Sequence, residues 1–269
     1  MGLGVVLQAE AIHEAERAAR QLARPGEDRH DGIHQARKSI RRVRALIALG
    51  GPEFSAMPAV RRLDAGLRSL CRGLSSLRDA DALRDALLHL EQDAIVGPIE
   101  CERLCAFVAV LRARRLAAAL ARDPDFARRR ARLQEAQTRL GLLPWSQVTD
   151  AAVATAHAAS RRRLRKALKQ AKRSDDPEAW HTLRRRLRRL RQQENALSRC
   201  APGTALHTAG IAELADRMGK AQDHALLLSH CRRSGVFPAR DRATLRRLVE
   251  PLYADALEHA AGALESLAD

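Results

Sequence analysis

Two segments of this 269-residue chain carry one cationic pattern, in which a histidine is followed by an arginine or lysine three, four, seven and ten residues later. A guanidinium group is always charged and offers a planar fork of N–H donors that suits bidentate contact with phosphate oxygens. The pattern therefore predicts a binding site for a phosphate-rich anion. Its residues are His34, Arg37, Lys38, Arg41 and Arg44 in the first copy, and His181, Arg184, Arg185, Arg188 and Arg191 in the second.

Each segment, placed on a helix at about 100° per residue, separates into two opposite faces. The cations lie on either side of the histidine, and the apolar residues lie opposite them. The apolar sets are Ile33, Ile40, Val43 and Ile47 in the first copy, and Trp180, Leu183, Leu187 and Leu190 in the second. We expect the apolar faces to be buried and the two cationic faces to converge on a shared anionic ligand.

A cationic face opposite an apolar one also occurs on ordinary solvated helices. Solvated faces usually mix the two signs, because like charges at i, i+4 spacing destabilise a helix. No acidic residue occurs between Arg37 and Arg44, or between Arg184 and Arg191. This self-repulsion indicates a compensating anion. Until one binds, we expect His34 and His181 to have pKa values below the ordinary value of about 6.5.

A third basic segment runs from Arg161 to Lys172 and contains no acidic residue. Arg165, Lys169 and Lys172 fall on one side of a helix, at i, i+4 and i+7. They form a ladder suited to an extended polyanion, and we assign them to the same binding site.

The composition narrows the class of protein. The chain contains 48 Lys and Arg residues and 32 Asp and Glu residues, so its net charge is +16. Hydrophobic residues make up 46% of the chain, and this fraction argues against disorder. The apolar runs are too short to span a membrane. The five cysteines come without a secretory signal, so we expect reduced thiols in a cytoplasmic protein.

Apolar residues recur at spacings of three and four along the chain, and β-branched residues are sparse, so we predict an all-α fold. Asp176, Pro177 and Glu178 form a helix start signal. The predicted helices lie near residues 3–24, 31–49, 56–74, 78–93, 98–122, 125–140, 148–173, 177–199, 204–219, 221–233 and 238–267.

The chain also repeats itself. The two cationic segments are separated by 147 residues. The segment His13–Arg17 corresponds to His157–Arg161, and Asp79 corresponds to Asp223, each with a separation of 144 residues. We predict an internal duplication that forms two helical bundles related by a pseudo-twofold axis. The first bundle comprises residues 1–143, and the second comprises residues 144–269.

The doubled cationic pattern resembles that of the CHAD family of histidine-containing α-helical domains. Arg78-Asp79-x-Asp81 and the segment Met218–Asp223 are similar to that family's downstream signatures. The resemblance covers essentially the whole chain. It implies a basic groove or pore between two helical bundles that binds inorganic polyphosphate, in some cases on polyphosphate granules. The chain departs from the pattern at Gln192, where relatives often have Tyr, and at Arg186, an additional arginine.

Three other functions fit parts of the sequence. Asp31-x-x-His34 and Glu178-x-x-His181 have the spacing of di-iron carboxylate sites, but cations share each histidine's face. His30-Asp31, or Asp79, Asp81 and Asp85, would suit a metal-dependent phosphohydrolase. A pI near 11.1 suits a protein that binds the nucleic-acid backbone, although aromatic residues for base stacking are few.

We therefore predict a binding module for inorganic polyphosphate that has no catalytic residues, metal or cofactor. Binding to the nucleic-acid backbone is the principal alternative, and no membrane association is expected.

Overall fold

The computed structural model describes residues 2–173, 177–201 and 209–265. Within these ranges the chain forms α-helices and short 3-10 turns and no β-strand, so the all-α prediction is confirmed. The helices are α1 (Leu3–Leu22), α2 (Arg29–Leu49), α3 (Gly51–Ala56), α4 (Pro58–Gly73), α5 (Ser75–Gln92), α6 (Pro98–Arg122), α7 (Ala127–Gly141), α8 (Asp150–Arg173), α9 (Pro177–Cys200), α10 (Ala209–His230) and α11 (Ala239–Glu265).

The predicted helices differ from the observed helices at two places. The helix predicted at 56–74 begins at Pro58, and a separate short helix, α3, precedes it; Met57, with ψ 133°, breaks the two apart. The helices predicted at 204–219 and 221–233 are instead one helix, α10, which continues through Gly219. A glycine inside a helix costs only about 1 kcal/mol, and burial of the apolar face of α10 offsets that cost. Residues 204–208 and the predicted cap Asp176 lie outside the described residues.

The chain forms two compact units whose limits fall after Leu74, after Pro124 and after Ala215. The first unit contains α1 to α4 and α7 to α9, and the second contains α5, α6, α11 and α10 from Asp216 onward. Each unit therefore takes helices from both sides of the predicted boundary between residues 143 and 144. The compact units divide the chain differently from the sequence repeat, because α2 packs against α9 from the other half.

The first unit is built around the close packing of α1 against α2. Small and apolar side chains at spacings of three and four make up the buried face of α1: Leu7, Ala11, Ala15, Ala18 and Leu22. Gly32 of α2 allows the close approach, because a Cβ atom there would lie 2.3 Å from the main-chain oxygen of Gln21. Trp145 completes this core, and its indole N–H donates a 3.0 Å hydrogen bond to the carbonyl of Leu140.

The second unit has its own apolar core, formed by residues such as Leu87, Leu104, Leu227 and Val249. A bidentate ion pair joins α6 to α11, with both Arg103–Asp241 distances at 2.8 Å. The aspartate of this pair is nearly buried. No helix in the described part of the chain is both long enough and apolar enough to cross a membrane.

The Gly32 contact gives a stability prediction. Gly32→Ala should lower the free energy of unfolding by about 1–3 kcal/mol, because the added methyl group overlaps the backbone of α1. Gly66→Ala in α4 is the matched control: nothing lies within 4 Å of the Cβ position there, so the substitution should stabilise the protein by about 0.5–1 kcal/mol. Urea unfolding followed by circular dichroism measures both, and equal effects would contradict the assigned contact.

Candidate anion-binding site

The helices with the repeated cationic pattern, α2 and α9, pack against each other within the first unit. Gln193 of α9 is fully buried, and its amide donates a hydrogen bond to the carbonyl of Ala45 on α2 at 3.4 Å. Trp180, predicted to be inward, is half-buried. The other residues predicted to be inward are buried: Ile33, Ile40, Val43, Ile47, Leu183, Leu187 and Leu190.

A cavity of about 570 Å³ is lined by three helices of this unit, α2, α4 and α9. We call it the arginine cavity. Its lining residues are Arg41, Arg44, Arg68, Arg72, Thr182, Arg185, Arg186, Arg188, Arg189 and Gln192. Eight of these ten residues are arginines, and none is acidic. Such a cavity can hold an anion through several charge-assisted hydrogen bonds at once.

Four residues of the predicted site line the arginine cavity together: Arg41 and Arg44 from the first copy, and Arg185 and Arg188 from the second. The two cationic segments therefore meet, as the pattern predicts. The residues in which the chain departs from the CHAD pattern, Arg186 and Gln192, line the same cavity.

Other predicted residues lie around the arginine cavity or turn away from it. The guanidinium of Arg37 donates a hydrogen bond to the carbonyl of Cys71 on α4. Lys38 lies toward α1, where burial and the charges of Arg42, Arg41 and Arg17 lower its pKa. The remaining motif residues are outside the lining and range from half-buried to exposed: His34, His181, Arg184 and Arg191.

The basic ladder on α8 is exposed to solvent. Arg165, Lys169 and Lys172 are all exposed, and none of them lines the arginine cavity. Their assignment to the same binding site stays a prediction.

The contribution of α4 to the arginine cavity is not among the predictions from the sequence. Arg68 and Arg72 are four residues apart on α4, so they share one face of that helix. The opposite face is buried through Val60, Leu63, Leu67 and Leu70. The separation of arginines from apolar residues on α4 can be seen in the sequence. However, α4 lacks the histidine that marks the repeated pattern on α2 and α9.

Burial and the crowding of like charges shift the pKa values of the site. Burial, together with the charges of Arg184, Arg37 and Arg185, lowers the pKa of Arg188 to about 10. Burial and Arg44 likewise lower the pKa of Arg189, although Asp64 opposes the shift. Burial and the charge of Arg185 lower the pKa of His181, which confirms the direction predicted for this histidine.

Asp64 holds one arginine of the cavity in place. Arg44 donates Nε–H to Oδ1 at 2.7 Å and Nη2–H to Oδ2 at 3.1 Å, and Arg68 approaches Oδ2 at 3.4 Å. Burial opposes ionisation of Asp64, but the hydrogen bond from Arg44 and the neighbouring arginine charges outweigh it and lower its pKa. Asp64 therefore orients Arg44 without itself lining the arginine cavity.

The acidic residues considered as metal ligands contact cations and other polar groups. Asp31 accepts hydrogen bonds from Gln35 and Arg24, which lower its pKa. Glu178 pairs with Arg185 at 3.0 Å. In the second unit Asp81 pairs with Arg112 at 2.6 Å. Within the described ranges no group of three or more His, Cys, Asp or Glu residues is arranged to hold a metal ion.

An all-α fold with a strongly cationic cavity between packed helices defines a helical domain suited to anions. The sequence model of the CHAD domain family matches residues 7–232, and the chain therefore belongs to the CHAD domain family.

The fold is similar to that in a crystal structure of the CHAD domain from the plant Ricinus communis. The two share a TM-score of 0.60 and 22% sequence identity, over 99% of this chain and 86% of the plant chain. Among curated proteins no match to this sequence is found.

The crowded charges predict that the site is destabilising when it is empty. Arg188→Met should raise the free energy of unfolding by about 1 kcal/mol, because it removes a desolvated charge that faces other cations and keeps the length of the side chain. Arg247→Met, at an exposed position of α11, is the control and should have little effect. Thermal and urea unfolding at low salt measure both, and a less stable Arg188→Met variant would contradict this view.

Proposed function

We propose that the arginine cavity binds inorganic polyphosphate without reacting with it. The single observation that carries the proposal is a cavity of about 570 Å³ lined by eight arginines and no carboxylate. The chain also belongs to a family that is associated with polyphosphate-related proteins.

Polyphosphate matches this lining better than a single phosphate does. It is a linear anion with a charge on every unit, so neighbouring units engage successive guanidiniums of α2, α4 and α9. Each contact after the first adds affinity without a new loss of association entropy. Release of condensed counterions adds a favourable contribution that weakens as salt rises.

The electrostatics of the free site favour uptake of such an anion. Arg188 and His181 both have pKa values lowered by burial and by neighbouring cations. A bound anion offsets that repulsion and returns the pKa values toward their ordinary range. Thr182 and Gln192 add neutral hydrogen-bonding groups to the same lining.

We also propose that the protein is a binding module and not an enzyme. The described lining of the arginine cavity offers no carboxylate, histidine or cysteine that would serve as a general base or nucleophile. Binding of this kind would bring a cytoplasmic protein to polyphosphate granules.

A quadruple substitution tests the site. Replacing Arg41, Arg72, Arg185 and Arg188 with Gln should weaken the binding of a defined-length polyphosphate by roughly 100-fold or more, because charge-assisted hydrogen bonds contribute about 1.5–3 kcal/mol each. Affinity of the unaltered protein should fall at least roughly tenfold between 50 and 200 mM salt. Isothermal titration calorimetry measures both quantities, and circular dichroism checks that helicity is retained.

A charge-matched variant is the control. Replacing the exposed Arg232, Arg233, Arg240 and Arg247 with Gln removes the same net charge from the second unit and should leave affinity within about threefold. Equal losses of polyphosphate affinity in the two variants would contradict the assignment of the binding site to the arginine cavity.

Two further outcomes distinguish the alternative functions. Tighter binding of DNA than of polyphosphate at matched salt would favour a nucleic-acid function instead. Phosphate release with Mg²⁺ or Mn²⁺ would contradict the non-catalytic proposal.

The ladder on α8 gives a separate prediction that depends on chain length. Changing Arg165, Lys169 and Lys172 to Gln should weaken binding of long polyphosphate several-fold, because an exposed ladder engages only chains that extend beyond the arginine cavity. Binding of tripolyphosphate should be unchanged. Equal weakening for both ligands would show a general charge effect.

A further inference from the structure

A second cavity of about 460 Å³ adjoins the arginine cavity within the first unit, and we call it the side pocket. The two cavities share Arg44, Arg68 and Arg189 in their linings. These three arginines therefore lie where the two cavities adjoin.

The side pocket differs from the arginine cavity in chemistry. Its wall includes Ile47, Val60 and Ala156, which are all nearly buried apolar residues. Ser55 and Asp64 also line it, and they provide a hydroxyl group and a carboxylate. The side pocket therefore combines an apolar wall with five arginines, a carboxylate and a hydroxyl group, and a pocket of this size is large enough for a small organic molecule that carries both apolar and polar groups.

The polar residues of the side pocket suit the groups of a nucleoside. Arg61 and Arg163 also line the pocket, and a guanidinium plane can stack on a planar base. The carboxylate of Asp64 is one-quarter exposed, so it retains an accepting edge beside the arginines that it orients. An acidic side chain in that role accepts hydrogen bonds from the hydroxyl groups of a ribose.

We infer that the two cavities together bind a nucleoside polyphosphate, with the phosphates in the arginine cavity and the nucleoside in the side pocket. The inference rests on the proposed function, because it uses the same arginines for the phosphates. It goes further, since inorganic polyphosphate has no apolar part that would contact Ile47, Val60 and Ala156.

The test compares two ligands that each contain three linked phosphates. Adenosine triphosphate and inorganic tripolyphosphate are titrated into the full chain at equal salt and without divalent metal ions. The nucleotide should bind roughly tenfold more tightly, because its nucleoside buries apolar surface and pairs with Asp64.

Variants that fill the side pocket locate the effect. Ala159→Trp on α8 and Ala65→Trp on α4 place a bulky side chain in the pocket from two helices. Each should abolish the preference for the nucleotide and change tripolyphosphate affinity less than about twofold. Ala154→Trp, at an exposed position of α8 outside the pocket lining, is the matched control and should retain the preference.

Each outcome separates the two proposals. Equal affinities for the two ligands in the unaltered protein would overturn the side-pocket inference and leave the arginine cavity assigned. A preference that survives both filling variants would also overturn it. Binding of neither ligand, nor of longer polyphosphate, would overturn the proposed function and the inference with it. Retained tripolyphosphate binding shows that a filled variant is folded.

Discussion

Guanidinium groups held close together repel one another, and the apolar contact between α2 and α9 has to outweigh that repulsion. The apolar faces of the two helices are buried, and residues such as Ile40, Val43 and Leu187 are completely so. The cost remains visible in Arg188, whose pKa falls to about 10. The packed helices thus hold like charges close together, and the proposed polyanion would reduce that repulsion on binding.

Acidic residues of the first unit pair with its arginines from positions outside the lining of the arginine cavity. Glu14 is nearly buried and pairs with Arg42 at 2.9 Å, on the side of α2 that faces α1. Asp64 fixes Arg44 from outside the arginine cavity. A fixed guanidinium loses less conformational entropy on binding than a mobile one, so Asp64 prepares Arg44 for binding although it offsets part of its charge.

The periodicity of the sequence predicted the fold class and the buried faces of α2 and α9, because helical geometry fixes angles within one helix. It predicted four of the eight arginines that line the cavity and missed the other four. Arg186 and Arg189 lie there while Lys38 faces α1, since the neighbours of a helix decide which part of its polar face is enclosed. The contribution of α4 depends on a tertiary contact of the same kind. The first compact unit contains both α2 and α9, which lie on opposite sides of the predicted boundary between residues 143 and 144.

The path of the chain, which leaves the first unit after Leu74 and re-enters it before α7, has a consequence for biosynthesis. On the ribosome α2 emerges more than a hundred residues before α9. Its apolar face therefore cannot pack against α9 until α9 has been synthesised. Until then the arginines of α2 are present without those of α9. The proposed anion-binding site is therefore completed late in translation, when α9 has been synthesised.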